Sequence, residues 1–188
     1  IAKEIAIGAT AGLILSIMFA AATLAGEKIA TSAGLSYAAQ VDPVSGVQTP
    51  VVSQILALFL LAVFISVDGH LAALRIIIES YDFVPIGTLS IPSGLIQGGM
   101  EASGSMFLNA SIIMLPVIII VLLINVSIGI ITRSAPQLNL FSFGFPLTIL
   151  GTFIVLYFSL DSLGHAFSDL VNSSLDHLMQ TIMGLKNG

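Results

Sequence analysis

The stretch RSAPQLNLFSFGFPL, residues 133–147, separates two long apolar segments of the chain. The 31 residues 102–132 that precede it contain no charged side chain. The residue before a proline avoids helical backbone geometry, so the Ala135–Pro136 step predicts that one helix ends here and another begins. The simplest structure is a helical hairpin with its turn at residues 133–136 and a second helix that reaches about Leu160.

The composition is that of a chain that avoids water. Hydrophobic residues make up 56% of the 188 residues, charged residues only 8%, and the mean hydropathy is +1.09. An ordinary soluble domain carries about 25% charged residues. These values predict an integral membrane protein, and the alternative is a subunit buried inside a larger assembly.

The residue counts also argue against several functions. The chain has no cysteine, which excludes disulfides and thiolate metal sites. Its net charge of −5 argues against nucleic acid, because phosphate binding needs clustered Lys and Arg. No glycine-rich segment is followed by the Lys-Ser/Thr pair of a phosphate loop, and no set of nucleophile, base and acid is recognisable. We therefore expect neither enzymatic activity nor a cofactor.

The first apolar segment lies between Glu4 and Glu27 and contains 22 uncharged residues. A helix of this length crosses a hydrocarbon core of about 30 Å. Because the chain begins at Ile1 rather than at methionine, we expect that an N-terminal portion is missing from it.

Four small residues of the first apolar segment form a stripe that lets another helix approach closely, unless they reflect chance in an Ala- and Gly-rich helix. They are Gly8, Gly12, Ser16 and Ala20.

Residues 31–50 predict a loop, because two prolines, two glycines and several hydroxyl residues interrupt the apolar pattern. Such a loop is either a surface connector or a functional segment. The next helix is predicted from Pro50 to about Ser80.

Charged residues in that helix share one face, since Asp68, Arg75 and Glu79 fall at i, i+7 and i+11. A charge at membrane depth is costly, so we expect these groups to pair with each other and to face protein or water. A proton relay between Asp68 and His70 is a weaker alternative, because residues i and i+2 point to different sides of a helix. Gly69 marks a possible bend.

Prolines and glycines at residues 81–104 predict a break with room for a short helix. Pro116 predicts a kink in the following long helix, because it removes a backbone hydrogen bond. Asn125 is expected to be a buried amide that requires a partner on a neighbouring helix. Pro146 predicts another kink or a broken start of the next helix.

Residues 161–183 predict an amphipathic helix. Its apolar residues recur at steps of three to five: Leu163, Phe167, Leu170, Leu175, Leu178 and Ile182. The polar face is acidic and matches anionic lipid headgroups poorly, so we expect it to pack against partner subunits. His165 and His177, with Asp169 between them, have a spacing that can hold a metal, but a solvated polar face is the preferred interpretation.

The opening stretch resembles a motif of the FliR/SctT family of type III secretion export gates. The family pattern is Arg, Ala-Pro-Gln, an apolar residue, Asn, a short apolar gap and Gly-Phe-Pro, matched here by Arg133, Ala135, Pro136, Gln137, Leu138, Asn139, Phe141, Gly144, Phe145 and Pro146. Further similarity lies at Asp42-Pro43, Gly69-His70, Pro85-Ile86-Gly87, Phe107-Leu108-Asn109 and Leu115-Pro116. Leu138 replaces an expected Met, and Asp68 replaces an expected Asn. The resemblance covers most of residues 1–160.

This resemblance implies an all-α fold of kinked helical hairpins that pack against FliP-like and FliQ-like subunits. It implies a FliP-like part at residues 1–100 and a FliQ-like part, a long hairpin plus the amphipathic helix, at residues 101–188. Members form with FliP and FliQ the closed channel for export of unfolded flagellar proteins, beside FlhA-like and FlhB-like membrane proteins. The expected location is the bacterial inner membrane, in the flagellar basal body, with a part projecting on the periplasmic side.

The resemblance also implies roles for residues. A loop at residues 34–49 is expected to plug the pore with Gly34, Leu35, Ser36, Tyr37, Val41, Asp42, Pro43, Val44 and Gly46. Subunit packing is expected at Arg133, Pro136, Gln137, Asn139, Phe141, Gly144 and Pro146. The kink and polar residues named above complete the candidate set: Pro116, Asn125, Asp68, His70, Arg75 and Glu79. The alternative is a small-molecule transporter or an ion-channel subunit, which predicts internal repeats that are not evident here; a scaffold that conducts nothing is a third hypothesis.

Overall fold

The computed structural model describes residues 2–35, 51–83, 94–135 and 143–184, and the regular structure within these ranges is helical. The helices in these ranges are α1 Ala2–Ser32, α2 Val51–Ser66, α3 Gly69–Phe83, α4 Gly94–Ser134, α5 Phe145–Phe158 and α6 Leu160–Gly184. The predicted all-α class is confirmed.

Two of these helices are long and apolar enough to cross a membrane, namely Ile7–Ser32 within α1 and Gly98–Ser134 within α4. The pairs α2/α3 and α5/α6 pass the same test when each pair is taken together, which gives up to 4 crossings by length and composition. The chain is therefore an all-α membrane protein, as its composition predicts.

Helix α1 extends further than predicted, because the hydroxyl residues at its end bond to their own helix. Thr31 and Ser32 donate their side-chain hydroxyls to the carbonyls four residues earlier, both at 2.8 Å, which keeps Ser and Thr compatible with a helix. Gly34 then adopts a φ of 81°, which glycine reaches without steric cost. The helix thus includes residues predicted as loop, and residues 36–50 lie outside the described ranges.

The single helix predicted between Pro50 and Ser80 is wrong, because the chain bends by 64° between α2 and α3. Asp68 lies at the bend with a φ of 56°, a conformation that Asp tolerates better than most residues. Its carbonyl accepts the backbone N–H groups three and four residues later, both at 3.0 Å. A Cβ on Gly69 would lie 2.6 Å from the Phe64 ring, so the bend requires glycine at the position where the sequence suggested one.

The break predicted for residues 81–104 is wrong from Gly94 onwards, where α4 has already begun. Glycine disfavours a helix interior by about 1 kcal/mol relative to alanine, so these residues need support from elsewhere in the fold. Helix α6 provides it. The Nε2 atom of His177 lies 2.9 Å from the Gly98 carbonyl, and a Cβ on Gly98 would lie 2.6 Å from the Thr181 side chain.

Helix α4 continues through Pro116 to a length of 41 residues, and the kink expected there stays a prediction. Helix α5 begins at Phe145 with Pro146 in its first turn, where the missing N–H of proline costs little. This agrees with the predicted broken start. Residues 84–93 and 136–142 lie outside the described part of the chain.

Helix α6 confirms the predicted amphipathic pattern. All the predicted apolar residues are buried, and Val171 joins them: Leu163, Phe167, Leu170, Val171, Leu175, Leu178 and Ile182. The exposed residues are mostly polar and acidic, and include Asp161, His165, Asp169, Asn172, Asp176 and Gln180.

Two compact units make up the fold. One comprises residues 1–21, 59–109 and 165–188. Its core is formed by Ile7, Ala11, Ile14, Ala102, Leu178 and Ile182. Two edge-to-face ring pairs lie in the same unit, Phe59 with Phe167 at 5.4 Å and Phe19 with Phe64 at 5.9 Å. This unit is held by aliphatic and aromatic packing between α1, α2, α4 and α6.

The other unit comprises residues 22–58 and 110–164. Here α1 and α2 approach so closely that a Cβ on Gly26 would lie 2.5 Å from the Ser53 Cα atom. The Ser53 hydroxyl donates to the Thr23 carbonyl at 3.0 Å. Small residues and one satisfied hydroxyl therefore let the two backbones meet.

Candidate functional site

Helix α5 turns its polar residues inward and its apolar residues outward. Thr148, Thr152 and Leu156 are buried. The outward residues are Leu147, Leu150, Phe153, Ile154, Tyr157 and Phe158, and Phe158 is 80% exposed. Thr148 and Thr152 donate to the carbonyls four residues earlier, at 3.0 and 2.8 Å, so their burial leaves no hydroxyl unsatisfied. A helix with this polarity is suited to apolar surroundings on its outer side.

Helix α4 presents a second apolar surface. Its exposed residues include Leu108, Ile112, Leu115, Ile119, Leu122, Leu123, Val126 and Ile130. Folded monomers in water rarely expose a contiguous apolar patch larger than a few hundred Å². We call the exposed apolar residues of α4 and α5 the apolar surface. The described residues leave this surface open, so lipid, partner subunits or the rest of the chain must cover it.

A polar bridge crosses the unit that contains α5. The Asn125 side-chain amide donates to the Ser32 carbonyl at 3.0 Å, and the Thr148 hydroxyl lies 3.0 Å from the Asn125 Oδ1 atom as donor. The predicted partner on a neighbouring helix is thus confirmed, with two helices involved rather than one. The predicted burial of Asn125 is wrong within this chain, where the residue is exposed, because α4 points it to the rim of the packed helices.

Sequence reasoning missed Ser32 and Thr148 in this bridge. The available signal was the pair Thr148 and Thr152, which lie four residues apart in an otherwise apolar helix. Such a pair marks one helix face as the face that meets polar groups. Nothing in the sequence pointed to Ser32, because it contributes only its backbone carbonyl.

The motif that gave the family resemblance is described only at its two ends. Arg133 is exposed in the last turn of α4, where a positive charge is favourable beside the unpaired carbonyls of the helix end. Gly144 is buried directly before α5, and Pro146 is exposed in its first turn. Pro136, Gln137, Asn139 and Phe141 lie outside the described residues.

The predicted plug is likewise described only at its start. Gly34 has left-handed backbone geometry, and Leu35 is half-buried. The contact of Gly26 with Ser53 holds α1 beside α2, so the segment begins and ends on packed helices. The other candidate residues fall outside the described ranges: Ser36, Tyr37, Val41, Asp42, Pro43, Val44 and Gly46.

The charged residues of α2 and α3 do not form one cluster. Arg75 Nε lies 2.7 Å from Glu79 Oε1 in an exposed pair, so this part of the expected pairing is present. Asp68 lies at the bend, and the described residues record no ion pair for it. The exposed His70 contacts the Phe64 ring, with centroids 6.4 Å apart, and no described contact joins it to Asp68.

Two further sequence features do not form binding sites in the described ranges. No group of three or more His, Cys, Asp or Glu is placed to hold a metal ion there; His165 is exposed, whereas His177 contacts Gly98. Among the same residues, a Cβ on Gly8 or Gly12 would meet no atom within 4 Å. The first two residues of the small-residue stripe of α1, Gly8 and Gly12, therefore face open space within the described part of the chain.

Comparison with known proteins agrees with the family resemblance. Residues 1–174 match the family described as bacterial export proteins, family 1. The chain is 35% identical over 147 residues to the flagellar biosynthetic protein FliR of Escherichia coli (strain K12), covering 78% of this chain and 56% of that protein. It is 34% identical over 182 residues to the flagellar biosynthetic protein FliR of Pectobacterium carotovorum subsp. carotovorum, covering 95% and 70%.

A relative with a different name also matches. The chain is 30% identical over 164 residues to the surface presentation of antigens protein SpaR of Shigella flexneri, covering 84% of this chain and 63% of that protein. Across these three relatives the chain spans between 56% and 70% of the relative's length.

Proposed function

The chain belongs to the bacterial export proteins, family 1, and we propose that it is a subunit of the flagellar type III protein export gate. The observation that carries this proposal is the match over residues 1–174, which includes both the segment around Asp42-Pro43 and the stretch 133–147. In this role the chain binds no cofactor and catalyses no reaction. It forms part of the wall of a channel for unfolded flagellar proteins.

The partners in this proposal are FliP-like and FliQ-like subunits in the bacterial inner membrane, with FlhA-like and FlhB-like proteins nearby. The apolar surface of α4 and α5 supports the proposal, because neighbouring subunits would cover it wherever the assembly projects from the bilayer. Removing apolar surface from water stabilises an assembly by about 25 cal/mol per Å². Residues 1–100 would form a FliP-like part of the chain, and residues 101–188 would form a FliQ-like part. The assembly would belong to the flagellar basal body and project partly on the periplasmic side.

Residues 34–49 are proposed as the plug of the closed channel. Leu35, Tyr37, Val41 and Val44 supply apolar or aromatic side chains, and an apolar constriction can block ions by dewetting. The close contact of α1 with α2 supports this role, because a plug needs fixed ends.

Co-purification tests the proposed function. An affinity-tagged chain, co-expressed with FliP-like and FliQ-like subunits, is expected to purify with both in a fixed proportion. Arg133→Ala is expected to lower the share of the FliQ-like subunit. Arg133→Lys keeps the positive charge at the helix end but loses the planar guanidinium, so it tests whether the charge or the shape of this side chain is needed for assembly. A chain that purifies alone from membranes, whatever the substitution, would contradict the export-gate assignment.

A further inference from the structure

The C-terminal end of α1 is held from outside its own helix. The last four carbonyls of a helix lack intrahelical partners. The Ile29 and Thr31 carbonyls accept the Ala33 and Gly34 N–H groups, at 2.9 and 3.1 Å. The Ser32 carbonyl accepts the Asn125 amide at 3.0 Å, from a helix 93 residues further along the chain.

The orientation of the Asn125 amide follows from the chemistry of its partners. A backbone carbonyl can only accept a hydrogen bond, so the Nδ2 side must face Ser32. The Oδ1 atom then faces Thr148, which can donate its hydroxyl proton. Thr148 is buried, and its hydroxyl is also 3.0 Å from the Gly144 carbonyl. The single hydroxyl proton of Thr148 is therefore shared between the Gly144 carbonyl, directly before α5, and the Asn125 Oδ1 atom on α4. The hydroxyl thus links α5 to α4.

We infer that Asn125 is a positioning residue that caps the end of α1 and thereby fixes where the chain leaves this helix, with Thr148 orienting its amide. An uncapped carbonyl in apolar surroundings is strongly unfavourable, so we expect α1 to end where the amide can reach its last carbonyl. Gly34, with its φ of 81°, redirects the backbone two residues later. Any effect of this cap on channel closure rests on the proposed function. The hydrogen-bonded bridge from Ser32 through Asn125 to Thr148 does not depend on it.

A spin label at Leu35 tests the geometry directly, because the chain contains no cysteine and Leu35→Cys creates a unique labelling position. In the assembled complex, the label is expected to give an immobilised spectrum. Asn125→Leu and Thr148→Val should each add a mobile component, whereas Thr148→Ser keeps the hydroxyl and should restore the immobilised spectrum. The rescue by Ser separates hydroxyl orientation from simple loss of packing.

Ser127→Ala is the matched control, since among the described residues the Ser127 hydroxyl bonds to the Leu123 carbonyl of its own helix and to no other helix. Its label spectrum should equal that of the parent. The inference is overturned if complexes of unchanged composition show the same label mobility with and without the Asn125 amide. Should Asn125→Leu fail to assemble, Thr148→Val and Thr148→Ser decide the outcome by the same criterion.

Ion leak through the same unlabelled complexes separates the inference from the proposed function. If both hold, Asn125→Leu raises leak together with label mobility, and Ser127→Ala raises neither. Increased mobility with unchanged leak supports the capping role of Asn125 and contradicts a closing role for the segment after α1. Increased leak with unchanged mobility contradicts the positioning role.

Discussion

Individual residues in this chain act mainly by being small or by satisfying a backbone group. Gly26 lets α1 touch α2, Gly98 lets α4 touch α6, and Asn125 satisfies a carbonyl that its own helix leaves unpaired. These contacts matter in an apolar chain, because side chains that already avoid water gain little from meeting each other in lipid, and close backbone approach supplies the dispersion energy instead.

Gly26→Ala is expected to destabilise the chain. The added Cβ would lie 2.5 Å from the Ser53 Cα atom, which is backbone and cannot rotate away, so we expect a loss of about 1–3 kcal/mol from overpacking. Thermal unfolding of the purified chain in detergent measures the change. Gly12→Ala is the control on the same helix, because its Cβ meets open space; it should leave the midpoint unchanged or raise it. Equal midpoints for the two variants would show that α1 and α2 do not touch at Gly26.

At the scale of elements, the chain bends by 64° between α2 and α3 and again by 64° between α5 and α6, and the two bends show how helices are interrupted in an apolar chain. The bend after α2 uses Asp68 in left-handed geometry, with its carbonyl occupied by the following turn. The end of α5 uses Ser159, whose N–H donates to the Val155 carbonyl at 2.9 Å. Both devices keep backbone groups paired, which an apolar environment demands.

Helix α5 gives a prediction about its surroundings. Leu150 is 57% exposed within the chain, so Leu150→Glu would be harmless if that face met water. We expect instead that the variant is lost from the membrane complex, because a charge at the centre of a bilayer or apolar contact costs about 2.5–3.5 kcal/mol. The fraction of chain recovered in the complex is the measurement.

Gln180→Glu on the polar face of α6 is the matched control, because it adds the same charge at an exposed position among acidic residues. It should assemble like the parent. Normal recovery of Leu150→Glu would mean that the outer face of α5 is solvated.

At the scale of the whole molecule, the described part of the chain leaves most of the apolar surface of α4 and α5 uncovered. In the most apolar part of the α4 span, only 22% of the residues are buried. Buried residues such as Val117 and Val121 form a narrow stripe, and the remaining faces require lipid or other subunits. Any partner that covers these faces and binds only the folded chain would stabilise it by mass action.

Removal of residues 36–45 tests the plug in the assembled complex. Because these residues are proposed to block the resting channel, we expect their deletion to increase ion leak across vesicles that contain the complex. Replacement of the same residues by a Gly-Ser linker of equal length distinguishes loss of the apolar side chains from a shortened connection. Leak that stays at the parental level in both variants removes this segment from channel closure, and unchanged subunit composition shows that assembly was not the cause.

The amino-acid sequence by itself determined the all-α membrane class, a helix start near Pro146 and the buried face of α6. Each depends on local patterns, namely uncharged run length, proline chemistry and helical periodicity. Residues 133–147 were sufficient to indicate the family for the same reason, because a contiguous motif is also a local pattern. The hairpin with its turn at residues 133–136 stays a prediction, because residues 136–142 lie outside the described ranges.

Only the tertiary structure decided the helical state of residues 94–104 and the partners of Asn125, whereas Gly69 had already marked a possible bend beside Asp68. Glycine-rich residues are helical here because Gly98 meets His177 and Thr181 on a remote helix. The cap on α1 joins Ser32 to Asn125 across 93 positions. These features depend on contacts between residues that are far apart in the sequence. No local pattern in the chain shows which of these residues the fold brings together.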